Sequence, residues 1–273
     1  MERRDRPYLI LFMLPAAALF AAFFLLPMAR LLAVGGSGPG GVATYAAIVT
    51  EPRYFRSLAS TVLLSLTVTG ATLVIAGVAG VFLQRNRFLG RSVLMALLTF
   101  PLAFPGVVVG FMVIMLAGRQ GVIGDLGTLL VGRKLVFAYS MAGLLTGYLY
   151  FSIPRVILTI MAAAEKLDRR LEEAARSLGA TPWQVVRDVT IPALMPAILS
   201  SGAICFATSM GAFGTAFTLA TEIEVLPMMI YTEFTLRANI AVAAALSIIL
   251  GGITWVGLAL ARTAAGSSVA AAA

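Results

Sequence analysis

Six apolar runs of membrane length alternate with short polar stretches along the chain, at roughly 8–33, 58–83, 92–116, 135–163, 193–219 and 240–261. About 20 apolar residues at 1.5 Å per residue cross a hydrocarbon core of about 30 Å. The pattern predicts an all-α membrane protein with six transmembrane helices. A barrel would instead show segments of roughly ten alternating residues. Prolines interrupt the first run at Pro15 and Pro27, and Pro101 and Pro105 interrupt the third within FPLAFPGVVVG. Loops are predicted at 34–57, 117–134 and 220–239, with a tight basic link, QRNRFLGR, between the second and third runs.

One stretch departs from the pattern. Residues 165–192, EKLDRRLEEAARSLGATPWQVVRDVTIP, gather ten charges between the fourth and fifth runs. Their punctuation predicts a short helix, a corner and a second short helix. Asp168 is a natural N-cap, and Glu172 and Glu173 fall near the positive end of the first helix. Gly179 ends it, and Thr181 followed by Pro182 starts the next.

Composition narrows the class further. The chain is 60% hydrophobic and only 12% charged, against about 25% charged in soluble domains. Its formal net charge of +8 does not imply nucleic-acid binding, because the basic residues flank apolar runs without forming a basic stripe or an aromatic platform. The chain contains no histidine, and its one cysteine, Cys205, lies in an apolar run. This removes the usual general base, a disulfide framework and a thiolate metal cluster. Neither Lys134 nor Lys166 follows a glycine, so no phosphate loop is present. The basic start MERRDRPY precedes an apolar run too long for a cleaved signal, which predicts a retained helix.

Basic residues orient membrane helices. With the N-terminus in the cytoplasm, the inner faces hold Arg3, Arg4, Arg6, Arg85, Arg87, Arg91, Lys166, Arg169, Arg170, Arg176, Arg187 and Arg262, twelve in all. The outer faces hold Arg30, Arg53, Arg56, Arg119, Arg133, Lys134 and Arg237, seven in all. Both termini and the polar stretch are therefore expected in the cytoplasm.

The remaining basic residue, Arg155, follows Pro154 inside the fourth run. A charge at that depth marks a functional position or pairs with carbonyls freed by the proline. Pro101, Pro105 and Gly106 in the third run, with Ser209 and Thr215 in SMGAFGTAF of the fifth, mark irregular backbone. Such backbone lines a translocation path or permits close helix packing. Glu222, Glu224 and Glu233 follow as candidate outer contacts.

At the polar stretch the residues resemble a known family. Glu173-Ala174-Ala175, three residues, Gly179, nine residues, then Val189-Thr190-Ile191-Pro192 is similar to the EAA loop of binding-protein-dependent ABC importer permeases. That loop reads EAA, three residues, Gly, nine residues, I-x-L-P. Val189 and Ile191 stand in for Ile and Leu. The resemblance implies the type I ABC transporter permease (MetI-like) fold in a bacterial inner (plasma) membrane. It places the permease domain at 57–262, a leading helix and periplasmic loop at 1–56, and a short tail at 263–273. It further implies that Glu172, Glu173, Ala174, Ala175, Arg176, Gly179, Ala180, Thr181 and Pro192 dock on an ATPase subunit. Ala174 and Ala175 would allow close approach, Glu173 and Arg176 would make directed polar contacts, and Pro192 and Pro196 would launch the fifth helix at a fixed angle.

The expected partners are an ATPase dimer, a second and homologous permease subunit, a periplasmic solute-binding protein and the lipid bilayer. This chain is expected to bind no cofactor and to catalyse nothing, ATP and Mg belonging to the ATPase. The texture of the third and fifth runs is most similar to the spermidine/putrescine group, which predicts a polyamine substrate. Ferric iron, sulfate, molybdate and phosphonate are the alternatives, since the spans offer a dication no carboxylate. A secondary transporter would need ionisable midplane residues and internal repeats, and a membrane enzyme would need convergent His, Asp or Glu. Neither pattern is present.

Overall fold

The computed structural model describes residues 6–38, 40–219 and 224–265, with side chains from Phe12 onward apart from Val131 and Ala265. In chain order the elements are α1 (Arg6–Phe20), α2 (Leu26–Gly35), α3 (Ala43–Thr50), α4 (Pro52–Arg85), α5 (Arg91–Thr99), α6 (Gly106–Ala117) and α7 (Val122–Val131). They continue as α8 (Met141–Glu165), α9 (Arg169–Ser177), α10 (Pro182–Val185), α11 (Ile191–Met210), α12 (Gly214–Leu219), α13 (Leu226–Tyr231) and α14 (Ile240–Ala265). Among the described residues no strand forms. Six helical stretches are long and apolar enough to cross a membrane: Phe12–Gly35, Pro52–Arg85, Gly106–Leu130, Met141–Glu165, Pro182–Met210 and Ile240–Ala264.

Two of these, the third and the fifth, differ most from the expected boundaries. The third run is split, because α5 leads into a 3₁₀ turn at Phe100–Ala103 and an extended Pro105 before α6 begins. Pro101 and Pro105 supply no N–H to an α-helical ladder, so the backbone cannot pass through them as one helix. The third crossing stretch therefore starts at Gly106 and reaches into residues expected to be loop. There α7 uses Val122, Leu126, Leu129 and Leu130, an apolar face interrupted only by Asp125 and small residues. The second short helix expected at Pro182 is not separate either. It runs through a π turn at Val186–Thr190 directly into α11. The π register places the Ile191 N–H on the Val186 carbonyl, one residue beyond the α partner, just ahead of Pro192. A π turn at Ala21–Leu25 likewise precedes Pro27 and joins α1 to α2. In both places a register shift accommodates a proline without ending the helix.

Helix α4 is the longest, with 34 residues and so a length of about 51 Å. Its buried face carries Ser57, Thr61, Ser65, Val68, Thr72 and Ala76, small side chains that let neighbouring membrane helices approach closely. Its last carbonyls are not left open. Asn86 Nδ2 donates to Phe82 O at 2.9 Å, and Arg91 Nε donates to Leu83 O at 2.9 Å. Helices α1 and α2 are exposed or half-exposed from Phe12 to Val34, as a helix facing lipid or another subunit must be.

The chain divides into two compact units. The smaller comprises 1–56 and 229–251, and the larger comprises 57–228 and 252–273. In the smaller unit Tyr45 Oη donates to Leu32 O at 2.8 Å, tying α3 back to α2. The core of the larger unit gathers Leu64, Val68, Val113, Leu144, Tyr148, Ile157 and Ile160.

Candidate functional site

Helix α9 and the start of α10 form an elbow whose ends are closed by local hydrogen bonds. Asp168 accepts from the Arg170 N–H at 2.9 Å. At the other end the Gly179 N–H reaches Arg176 O at 2.9 Å and the Ala180 N–H reaches Ala175 O at 3.1 Å. This is a Schellman closure, with Gly179 as its left-handed residue at φ +89°. Thr181, the residue directly after this closure, is the next N-cap. Thr181 N donates to Gln184 Oε1 at 2.7 Å and Thr181 Oγ1 accepts from Gln184 N at 3.4 Å, a reciprocal capping box with Pro182 at the first helical position. The angle of the elbow is thus set by consecutive residues.

A buried polar clasp anchors the elbow to two long helices. Glu172 turns inward, its side chain 8% exposed, and pairs with Arg85 at the end of α4. Thr190 Oγ1, in the π turn, donates to Glu172 Oε1 at 2.9 Å, and Arg85 Nη2 lies 3.4 Å from the same hydroxyl. Removing one partner of a buried pair leaves an uncompensated charge, at a cost of about 3–5 kcal/mol. The 29% exposure of Arg85 puts this pair at or below the lower end of that range. Glu172 therefore acts inside the fold, whereas Glu173 and Arg176 point outward.

The outward face of the elbow is apolar in a way the spacing motif did not reveal. Leu171 is 57%, Leu178 89% and Trp183 67% exposed. Leu171, Ala174 and Leu178 stand three and four residues apart, on one face of α9, and Ala174 is exposed with them. Large apolar side chains displayed on an otherwise polar helix suit contact with a protein partner or a membrane. Two signals could have found them: apolar residues in a stretch where polar ones dominate, and a tryptophan directly after a helix-initiating proline.

The second cluster lies in the larger unit where two irregular segments meet. Helix α12 packs against α6, with Thr215 Oγ1 donating to Gly106 O at 3.0 Å and Thr218 Oγ1 lying 3.2 Å from Val107 O. A Cβ on Gly110 would stand 2.5 Å from Thr218 Cβ, so glycine is required for that approach. The break between α11 and α12 is held from α8, where Tyr148 Oη donates to Ala212 O at 2.5 Å.

Beside this junction opens a cleft of about 290 Å³, lined by Pro101, Leu102, Phe104, Gly106, Phe151, Arg155, Thr208, Ala212, Gly214 and Thr215. Four of the predicted path residues, Pro101, Gly106, Thr215 and Arg155, are brought together here from four separate segments. Pro105 adjoins the cleft as the extended N-cap of α6. Ser209 is buried away from the cleft wall, with no hydrogen-bond partner for its hydroxyl among the described residues. Arg155 does not bond to the carbonyl freed by Pro154. Its guanidinium has no hydrogen bond or ion pair among the described residues, and its side chain is exposed to the cleft. An arginine at mid-span costs about 2.5–3.5 kcal/mol on insertion scales unless it faces water or a partner.

The three carboxylates expected as outer contacts separate. Glu222 lies outside the described residues, and Glu224 is exposed. Glu233 is not available for an external contact, because its side chain is 1% exposed. It is held within the smaller unit by Arg237 Nη1 at 3.0 Å and Arg53 Nη1 at 3.6 Å. Buried in an apolar surround, a carboxylate needs such partners.

Comparison with known proteins places this geometry. Over 210 residues the chain is 33% identical to the molybdenum transport system permease protein of Escherichia coli K12, covering 74% of this chain and 89% of that one. It is 33% identical over 212 residues to the sulfate transport system permease protein of the same organism, covering 74% of each. It is 28% identical over 251 residues to a putative 2-aminoethylphosphonate transport system permease protein of Salmonella typhi, covering 89% and 86%. The fold matches a chain in the crystal structure of a bacterial alginate ABC transporter in complex with alginate pentasaccharide-bound periplasmic protein, with a TM-score of 0.78 at 18% identity over 98% of this chain and 96% of that one. Residues 73–263 match the family described as binding-protein-dependent transport system inner membrane component. With its six membrane-length helices and that match, the chain belongs to this family of multi-pass inner-membrane ABC permease subunits.

Proposed function

We propose that this chain is the half-channel of an ATP-driven importer that carries a small oxyanion of the sulfate, molybdate or phosphonate type. The observation that carries the transport reading is the elbow, with its capped corner, its inward clasp to α4 and the π turn, and its outward apolar face. Leu171, Ala174, Leu178 and Trp183 would seat against an ATPase subunit on the cytoplasmic side, with Glu173 and Arg176 at the rim of the contact. Movement of that subunit would pull on α4 and α11 through Glu172. ATP and Mg would bind the ATPase. A second permease would complete the path, and a periplasmic binding protein would deliver the substrate, with Glu224 as a contact on that side.

The substrate proposal departs from the polyamine expected from sequence texture. The relatives named above are molybdenum, sulfate and 2-aminoethylphosphonate permeases, and among the described residues the cleft is lined by an arginine and no carboxylate. A polyamine dication would meet like charge there. The test is uptake by the complete importer, with its ATPase, second permease and binding protein, in proteoliposomes. ATP-dependent accumulation of labelled sulfate, molybdate or 2-aminoethylphosphonate is expected, and accumulation of spermidine instead would overturn the substrate. Leu178→Asp combined with Trp183→Asp should release the ATPase on purification. Retention of the ATPase by that variant would overturn the docking surface.

A further inference from the structure

We infer that Arg155 is a substrate-contacting residue of the membrane path: a fixed cation on the cleft wall that an oxyanion meets as it passes through this subunit. The inference rests on the oxyanion reading above and adds a residue and a place to it.

Depth is the first ground. Arg155 is ten residues from the end of α8 at Glu165 and fourteen from its start at Met141, so about 15 Å and 21 Å of helix separate it from the two ends. A guanidinium so far from either end needs a hydrated cavity or a partner. The cleft supplies the cavity, and no side chain among the described residues supplies the partner. The second ground is the chemistry of the wall. Gly106 brings the start of α6 with its partial positive charge, and among the described residues no acidic side chain lines the space. A planar guanidinium matches two oxygens of a tetrahedral oxyanion at once. The third ground is size. At about 290 Å³ the cleft sits at the lower end of the range for small-molecule sites, about 300–1,000 Å³, which suits a five-atom anion with water around it.

An anchor role for the arginine makes different predictions. A purely structural residue would matter for insertion and assembly. A path residue would matter for the charge of what passes, after assembly is complete.

The experiment uses the complete importer in proteoliposomes, with co-purification of the ATPase and second permease as the measure of assembly and labelled sulfate and molybdate as probes. Arg155→Met is expected to assemble and to lower oxyanion uptake at least tenfold, with Arg155→Lys intermediate. A second variant carries Arg155→Cys together with Cys205→Ala, which removes the chain's own buried thiol. Treatment with a cationic methanethiosulfonate should restore uptake, whereas an anionic one should not. Uptake by Arg155→Met within twofold of the unaltered chain would overturn the inference while leaving the importer intact. Equal restoration by reagents of either charge would do the same. If Arg155→Met does not assemble, the reagent pair on the cysteine variant decides the matter. If the unaltered complex accumulates spermidine but neither oxyanion, the substrate reading fails and this inference fails with it.

Discussion

The elbow at 165–192 and the cleft beside α6 and α12 are both made from broken helices, yet they combine local and distant contacts differently. In the elbow, each break is closed by residues no more than five positions apart: Asp168 with Arg170, Gly179 with Arg176, Ala180 with Ala175, and Thr181 with Gln184. In the cleft, local turns such as Phe104 N–H to Pro101 O at 3.2 Å and Ala212 N–H to Ser209 O at 3.4 Å are joined by bonds between residues far apart in the chain. Thr215 bonds to Gly106 across 109 positions and Tyr148 to Ala212 across 64, and the arginine facing the space has no partner among the described residues. On the proposed function, local closure would let the elbow keep its shape when the helices around it move.

The contrast can be attacked from both sides. The largest effect is expected from Gly179→Val. A β-branched residue at positive φ costs about 1–2 kcal/mol, and relieving the strain means losing the corner itself. Uptake should fall to background while the chain still inserts, and near-normal uptake would remove the elbow from the mechanism. Next comes Glu172→Gln, which leaves Arg85 without its carboxylate. We expect a substantial loss of uptake. Its double-mutant cycle with Arg85→Met should yield a coupling energy within about 0.5–3 kcal/mol, and additivity of the two changes would mean that the clasp does not act as a unit.

Gly110→Leu tests the distant closure in the cleft. The added side chain meets Thr218, and overpacking of this kind costs about 1–3 kcal/mol. Thermal unfolding in detergent should shift downward, whereas retention of the ATPase on purification should not change. The smallest effect is expected from Thr181→Ala, at about 1 kcal/mol from the lost cap. It should lower uptake modestly without altering thermal unfolding of the rest of the chain, and a global loss of stability would contradict the local character of the elbow.

The same division explains what could be read in advance. Six helices, the caps at Asp168 and Thr181 and the glycine corner follow from periodicity and from residues a few positions apart. The inward turn of Glu172 was hidden, because its partners Arg85 and Thr190 lie 87 and 18 positions away. Glu172 and Glu173 are neighbours of identical chemistry, and only packing separates the one that clasps from the one that faces out. Glu233 was hidden for the same reason, as its burial depends on Arg53 from a distant segment. The split of the third run was suggested by Pro101 and Pro105, but α7 was obscured by the charges at Arg119 and Asp125.

The sequence by itself determined the class of protein, the number of crossing helices and the form of the elbow between the fourth and fifth. These depend on apolar run length, on the backbone freedom of one glycine and on side chains capping their own neighbourhood. The tertiary structure decided which carboxylates are internal, which apolar residues of the elbow stand exposed, and that Arg155, Gly106 and Thr215 share one space. Those outcomes depend on which helix faces meet, and a meeting of faces is set by the packing of the whole chain.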